Sequence, residues 1–165
     1  MNLKFGAGLL AAFGLRALLV RAMLFALRRD AAKVNEGNYQ PLLSRYADDA
    51  VLLFPGRPGE HRWAGEHRGK DAIERFLKDF TAAGLQGKVA ELMVAGPPWA
   101  MTLMVRFDDR ATGPDGAEIY HNRVVLLIRT RWGRIVRHDD FFEDTGRIAE
   151  FERKLTELGK LPAAA

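Results

Sequence analysis

The feature that most constrains this chain is the order of its periodicities. Apolar residues at helical spacing come first, and long alternating stretches separated only by turn residues come afterwards. An N-terminal helical segment should stop at Asn35-Glu36-Gly37-Asn38, where Gly37 can take the left-handed C-terminal conformation and Asn38 can cap the next element. A short second helix then carries Leu42, Leu43 and Tyr46 inward. Ala50 to Phe54 reads as a buried strand, and residues 55–69 as a long loop. A third helix presents Ile73, Phe76, Leu77 and Phe80. The strands Lys88 to Ala95, Trp99 to Asp109, Glu118 to Arg131 and Arg134 to Glu143 come next, with hairpin breaks at Gly113-Pro114-Asp115-Gly116 and Trp132-Gly133. A last amphipathic stretch runs from Ile148 to Leu158. Helices followed by consecutive antiparallel strands define an α+β order, because parallel sheets need a helix between successive strands.

With 165 residues, 48% of them hydrophobic, the chain suffices for one well-buried core. It divides into a basic helical extension (1–27), one domain (28–158) and a short tail (159–165). No cysteine is present, which excludes thiol nucleophiles, disulfides and thiolate metal sites. The net charge of +4 is too small to require nucleic acid. Its excess lies at the front, in Arg16, Arg21, Arg28, Arg29 and Lys33.

The apolar run Phe5 to Leu15 is too short for a membrane span, and arginines stand where a signal-peptidase site would be needed. A cytoplasmic protein is expected. Read as a helix, the segment places Ala12, Leu15, Leu19, Met23 and Ala26 on one side and Arg21, Arg28 and Arg29 on the other. The favoured reading has this stripe closing over the domain's own core or a second copy in a homodimer. Peripheral attachment to an anionic membrane surface is the alternative.

Four phrases carry a resemblance: Val34-Asn35-Glu36-Gly37-Asn38-Tyr39, Tyr46-Ala47-Asp48-Asp49-Ala50-Val51, Gly69-Lys70-Asp71-Ala72-Ile73-Glu74-Arg75-Phe76, and Gly133-Arg134-Ile135-Val136 leading to Asp140-Phe141-Phe142. In these phrases and in the order of its elements the chain resembles the nuclear transport factor 2-like superfamily, in its SnoaL-like polyketide cyclase and limonene epoxide hydrolase branch. The resemblance implies a cone-shaped, curved antiparallel sheet wrapped around helices, with one internal pocket. That fold serves many tasks, so function has to come from the pocket residues.

Strand alternation places Thr102, Met104, Arg106 and Asp108 on one face, and Val136, His138, Asp140 and Phe142 on another. If both faces line the cone, two aspartates bridged by an arginine form an acid/base pair, with Asp140 as base, Asp108 as acid and Arg106 as bridge. This arrangement resembles the Arg-x-Asp and distal Asp of limonene epoxide hydrolase. That family's tyrosine and asparagine, however, would fall on the strand occupied here by Leu52 and Phe54. A steroid isomerase is not supported, since Phe54 and Asp30 stand where its base and oxyanion-binding tyrosine belong.

Leu52, Phe54, Met104, Asn122, Val124, His138 and Phe142 are the expected substrate-binding residues. The expected ligand is an apolar small molecule, handled without cofactor or metal, because His61, His67, His121 and His138 have no paired ligand spacing. The competing reading makes Arg106-x-Asp108 a surface ion pair and the protein a non-catalytic ligand-binding or dimerisation module. A one-residue change of register would exchange the members of the Asp108-Asp109 and Asp139-Asp140 doublets. Trp99 is expected in the core, and Trp63 and His67 at the rim or in a lid.

Overall fold

The computed structural model describes residues 3–161, with side chains from residue 14 onward. A helix, α1 (Leu3–Asn35), leads into a short helix, α2 (Gln40–Leu43). Then come β1 (Tyr46–Phe54), β2 (Gly65–Arg68), α3 (Lys70–Ala82), β3 (Gln86–Ala95), β4 (Thr102–Thr112), β5 (Glu118–Arg131), β6 (Arg134–Phe142) and α4 (Gly146–Glu157). The six strands form one sheet in the order β2-β1-β6-β5-β4-β3. All neighbours are antiparallel except β1 and β6, which run parallel. The expected α+β cone is the observed architecture, with two additions. β2 lies inside the glycine-rich segment expected to be loop, and β1 begins at Tyr46, ahead of the apolar run at Ala50.

Local chemistry explains the breaks. Gly37 has a φ of +85°, its N–H bonds to the Val34 carbonyl, and the Asn38 N–H reaches back to Lys33; this pattern satisfies the last carbonyls of α1. Trp132 and Gly133 both have positive φ, 51° and 78°, the geometry of a two-residue hairpin that matches strand twist.

The concave face is apolar. Leu52, Phe54, Val105, Val124 and Ile128 from the strands meet Ile73, Phe76 and Leu77 of α3, all of them buried. At one end, Trp63, Tyr120, Phe151 and Leu155 form a buried aromatic layer under α4, where Arg62 is tied to the buried Glu152 at 2.7 Å. Trp63 therefore belongs to the core and not to a rim, whereas Trp99 is 53% exposed. The Pro97-Pro98 turn carries Trp99 past the sheet before β4 begins, so its apolar character does not bury it.

As the helix stop at Asn35-Glu36-Gly37-Asn38 implies, α1 runs unbroken across position 27 to Asn35. The expected stripe closes over the domain only at its C-terminal end: Leu15 is 72% exposed and Leu19 is 42% exposed, whereas Met23 packs on the core. Leu24, Leu27 and Ala31 pack there beside it. Ala12, also assigned to that stripe, lies outside the described side chains.

The contact that seats α1 is made by Asn35. Its side-chain N–H donates to the Gly87 carbonyl at 3.0 Å, and its side-chain oxygen accepts from the Gly87 N–H at 2.9 Å. Because β3 is the last strand of the sheet, this amide pairs backbone groups on an otherwise open edge. Further along the same helix, Arg16 donates to the Val94 carbonyl. Replacing Asn35 with Ala should lower unfolding stability by about 2 kcal/mol, because two hydrogen bonds are lost and a partly buried edge is left unpaired. Urea titration of Asn35→Ala checks this.

Candidate functional site

A cavity of about 120 Å³ lies between the concave sheet face, α3 and the C-terminal half of α1. Its walls are overwhelmingly apolar, with Leu52, Phe54, Phe76, Phe107, Val124 and Phe142 prominent. Five polar side chains also reach the wall: Asp30, Asn35, Asp109, His138 and Asp140.

Of the residues expected here, Leu52, Phe54, Val124, His138, Asp140 and Phe142 line the cavity. Asn122 is fully buried on the same face but turned toward α4, where it donates to the Asp144 carbonyl at 2.7 Å. Arg106, Asp108 and Met104 are corrections. Arg106 pairs with Asp108 at 2.9 Å and with Glu91 at 3.4 Å, each of them a third or more exposed, and Met104 is 46% exposed. The inward face of β4 is Leu103, Val105, Asp109 and Ala111, all buried, with Phe107 on the cavity wall.

The register is therefore shifted by one residue from that expected, and Arg106 bridges nothing inside the cone. The signal for it was present in the sequence. Odd positions of β4 read Leu, Val, Phe, Asp, Ala, and even positions read Thr, Met, Arg, Asp, Arg, so apolar content selects the odd face.

On β6 and β1 a relay forms. The Tyr46 hydroxyl lies 2.5 Å from Nδ1 of His138, and Nε2 of His138 lies 2.8 Å from Oδ1 of Asp140. Burial, reinforced by the Asp140 charge, raises the Tyr46 pKa well above the phenol range. Its hydroxyl therefore keeps its proton, and the tautomer of His138 decides whether that hydroxyl donates to Nδ1 or accepts from it. The Nε2 to Oδ1 approach is short but out of line, so neither atom has a properly directed hydrogen bond among the described residues. Both retain hydrogen-bonding capacity. Sequence reasoning identified His138 and Asp140 but missed Tyr46 as their partner, because the contact spans 92 positions between β1 and β6.

Asp109 is the group sequence reasoning did not select. It is 5% exposed, and among the described residues no side chain or backbone group hydrogen-bonds or ion-pairs with its carboxyl. It faces Gly87 across the β3–β4 ladder, where a Cβ would lie 3.1 Å from its Oδ1. Burial raises its pKa to about 8, and the charges of Asp140 and Asp108 push in the same direction. Asp109 is thus mostly a neutral carboxylic acid at pH 7, a proton donor in a cavity that also presents the charge of Asp140.

Asp30 is held differently. The Arg45 Nε at 2.7 Å and the Arg29 guanidinium at 3.1 Å fix it to the cavity's outer margin. No group of three or more potential metal ligands occurs among the described residues.

The raised pKa of Asp109 has a stability consequence with a definite sign. Between pH 4 and about 8 the unfolded chain loses this proton while the folded chain keeps it, so Asp109 makes the fold progressively less stable as pH rises through that window. Asp109→Asn should therefore gain stability relative to the parent by at least about 1 kcal/mol between pH 4 and pH 8. Paired urea titrations across that range measure the difference.

Comparison with known proteins agrees with the geometry. The structure of Bal32a, from a soil-derived mobile gene cassette, superimposes with a TM-score of 0.64 at 21% identity, covering 78% of this chain and 94% of that one. TerC, co-crystallised with polyporic acid, gives 0.62 at 20% identity, covering 78% and 95%. A candidate isomerase from Bacillus subtilis gives 0.56 at 25% identity, covering 72% and 84%. No curated protein matches the sequence. The model of the SnoaL-like domain matches residues 27–138, which include the last, cavity-facing residues of α1 and strands β1 through the first part of β6. The chain belongs to the SnoaL-like domain family, within the nuclear transport factor 2-like fold.

Proposed function

We propose that this protein is a cofactor-independent enzyme that moves a proton on an apolar carbonyl compound, in an isomerisation or an intramolecular cyclisation. The carrying observation is that two nearly buried carboxyl groups face one apolar cavity: Asp109, which burial keeps protonated near neutral pH, and Asp140, which stands beside His138. Relatives in the fold include the Bacillus subtilis candidate isomerase and a candidate polyketide cyclase from Sinorhizobium meliloti, which is consistent with this class of chemistry.

The step divides between the two groups. Asp140 accepts a proton from the carbon next to the substrate carbonyl, and the C–H electron pair moves onto the carbonyl oxygen as an enolate. The Asp109 hydroxyl donates to that oxygen where charge develops, which a low-dielectric cavity makes effective. In an isomerisation, Asp140 returns its proton to a different carbon. In a cyclisation, the enol carbon bonds to a second carbonyl carbon of the same molecule, and that carbonyl's oxygen takes the proton from Asp140. His138, held at Nδ1 by Tyr46, stands 2.8 Å from Asp140 and limits where its carboxyl can move before proton transfer.

Hydrolysis of an epoxide is less well supported, because the arginine and the first aspartate of that arrangement lie outside the cavity. At about 120 Å³ the cavity suits a ligand of roughly one ring.

Exchange of the carbon-bound protons of small cyclic ketones and 1,3-diketones with deuterated water, followed by NMR, tests the reading. Asp140→Asn should slow catalysed exchange by about 10²-fold or more, and Asp109→Asn by a smaller but clear factor. The parent rate should fall as pH rises through about 8, where Asp109 loses its proton. Undiminished exchange in Asp140→Asn would remove the base assigned here. Retained ligand binding without exchange in the parent would favour a non-catalytic binding module.

A further inference from the structure

We propose that the middle of α1, residues 15–28, lies on an anionic membrane surface, with Leu15, Leu18, Ala22 and Phe25 facing the lipid. These residues recur at steps of three and four, so they form one stripe along the helix. Leu15 is 72% exposed, Leu18 63% and Phe25 71%. The stripe runs opposite Met23, Leu24 and Leu27, which pack against the core, so the domain's own fold leaves it uncovered.

Charge selects the occupant. Arg21 and Arg28 each stand three positions after a stripe residue, Leu18 and Phe25, and so flank the stripe on one side. Neither makes an ion pair or a side-chain hydrogen bond among the described residues. No acidic residue precedes Asp30 in the sequence, and Asp30 is buried and occupied by Arg45 and Arg29. A second copy docking stripe against stripe would bring arginines against arginines. Anionic headgroups would neutralise them, while the leucines and Phe25 enter the acyl boundary, as basic amphipathic helices do. Among the described residues no helix is long and apolar enough to cross a membrane.

The opposite face of the same helix supplies Leu27, Ala31 and Val34 to the cavity wall. A surface-bound α1 would therefore hold the cavity close to the bilayer. The proposal does not depend on the proton-transfer reading, since none of its residues lines the cavity.

Flotation of the full chain with mixed phosphatidylglycerol–phosphatidylcholine vesicles, compared with pure phosphatidylcholine vesicles, tests it. Binding should occur with the anionic vesicles and fall with added salt. Arg21→Gln with Arg28→Gln should weaken it about 25-fold, and Leu18→Asp with Phe25→Asp should abolish it, both with unchanged thermal melting. Three results would overturn the proposal. One is absence of binding to either vesicle. Another is equal binding to both that resists salt and alkaline extraction, which would indicate insertion. The third is self-association removed by Leu18→Asp with Phe25→Asp in a chain that ignores vesicles, which would assign the stripe to a second copy.

Discussion

The seating of α1 on the sheet is the constraint that creates the cavity. A curved sheet with α3 across it leaves one side open, and the C-terminal half of α1 closes that side with Leu27, Ala31 and Val34. The force that fixes the helix there is directional: the Asn35 amide matches both hydrogen-bonding groups of Gly87, which apolar packing alone could not register. The same residue pair explains why position 87 is glycine. Asp109 stands directly across the ladder, and a side chain at 87 would crowd both its carboxyl and Phe107. One contact thus closes the cavity and leaves room for the acid inside it.

Inside, three aspartates illustrate how environment sets chemistry. Asp30 has two arginines, Asp140 approaches His138, and Asp109 has no partner among the described residues. A buried carboxyl without a cation or hydrogen-bond donor is hard to ionise, so Asp109 keeps its proton. The charge of Asp140 adds to that preference. Asp140 therefore helps to hold Asp109 in the protonated form, which is the condition for Asp109 to donate.

Much of this was legible in the sequence because it depends on periodicity and punctuation. The helix stop at Gly37, the third helix, the β5–β6 hairpin and the inward face of β6 all stem from residue spacing and turn chemistry. The features that were not legible depended on register and distance. β2 has only four residues and no alternation to mark it, since its ladder with β1 is set by tertiary position. The Tyr46–His138 contact joins elements far apart in sequence. On β4 the motif Arg-x-Asp drew attention to the wrong face, although Leu103, Val105, Phe107 and Ala111 marked the inward one.

The two aspartate doublets show why that motif misleads. On β4, Arg106 bonds Asp108; on β6, Arg137 bonds Asp139 at 2.6 Å. In both strands the arginine stands two positions before its aspartate, so the pair shares a face, and that face is the convex, water-accessible one. A guanidinium is costly to bury and needs its donors satisfied, which makes the convex side the favourable location for both pairs. Alternation then forces the remaining member of each doublet inward: Asp109 on β4 and Asp140 on β6, both nearly fully buried. The arginines thus contribute to the site by position, without touching it. By holding the outer aspartates they fix which carboxyl of each doublet faces the cavity, and so which two carboxyls meet there.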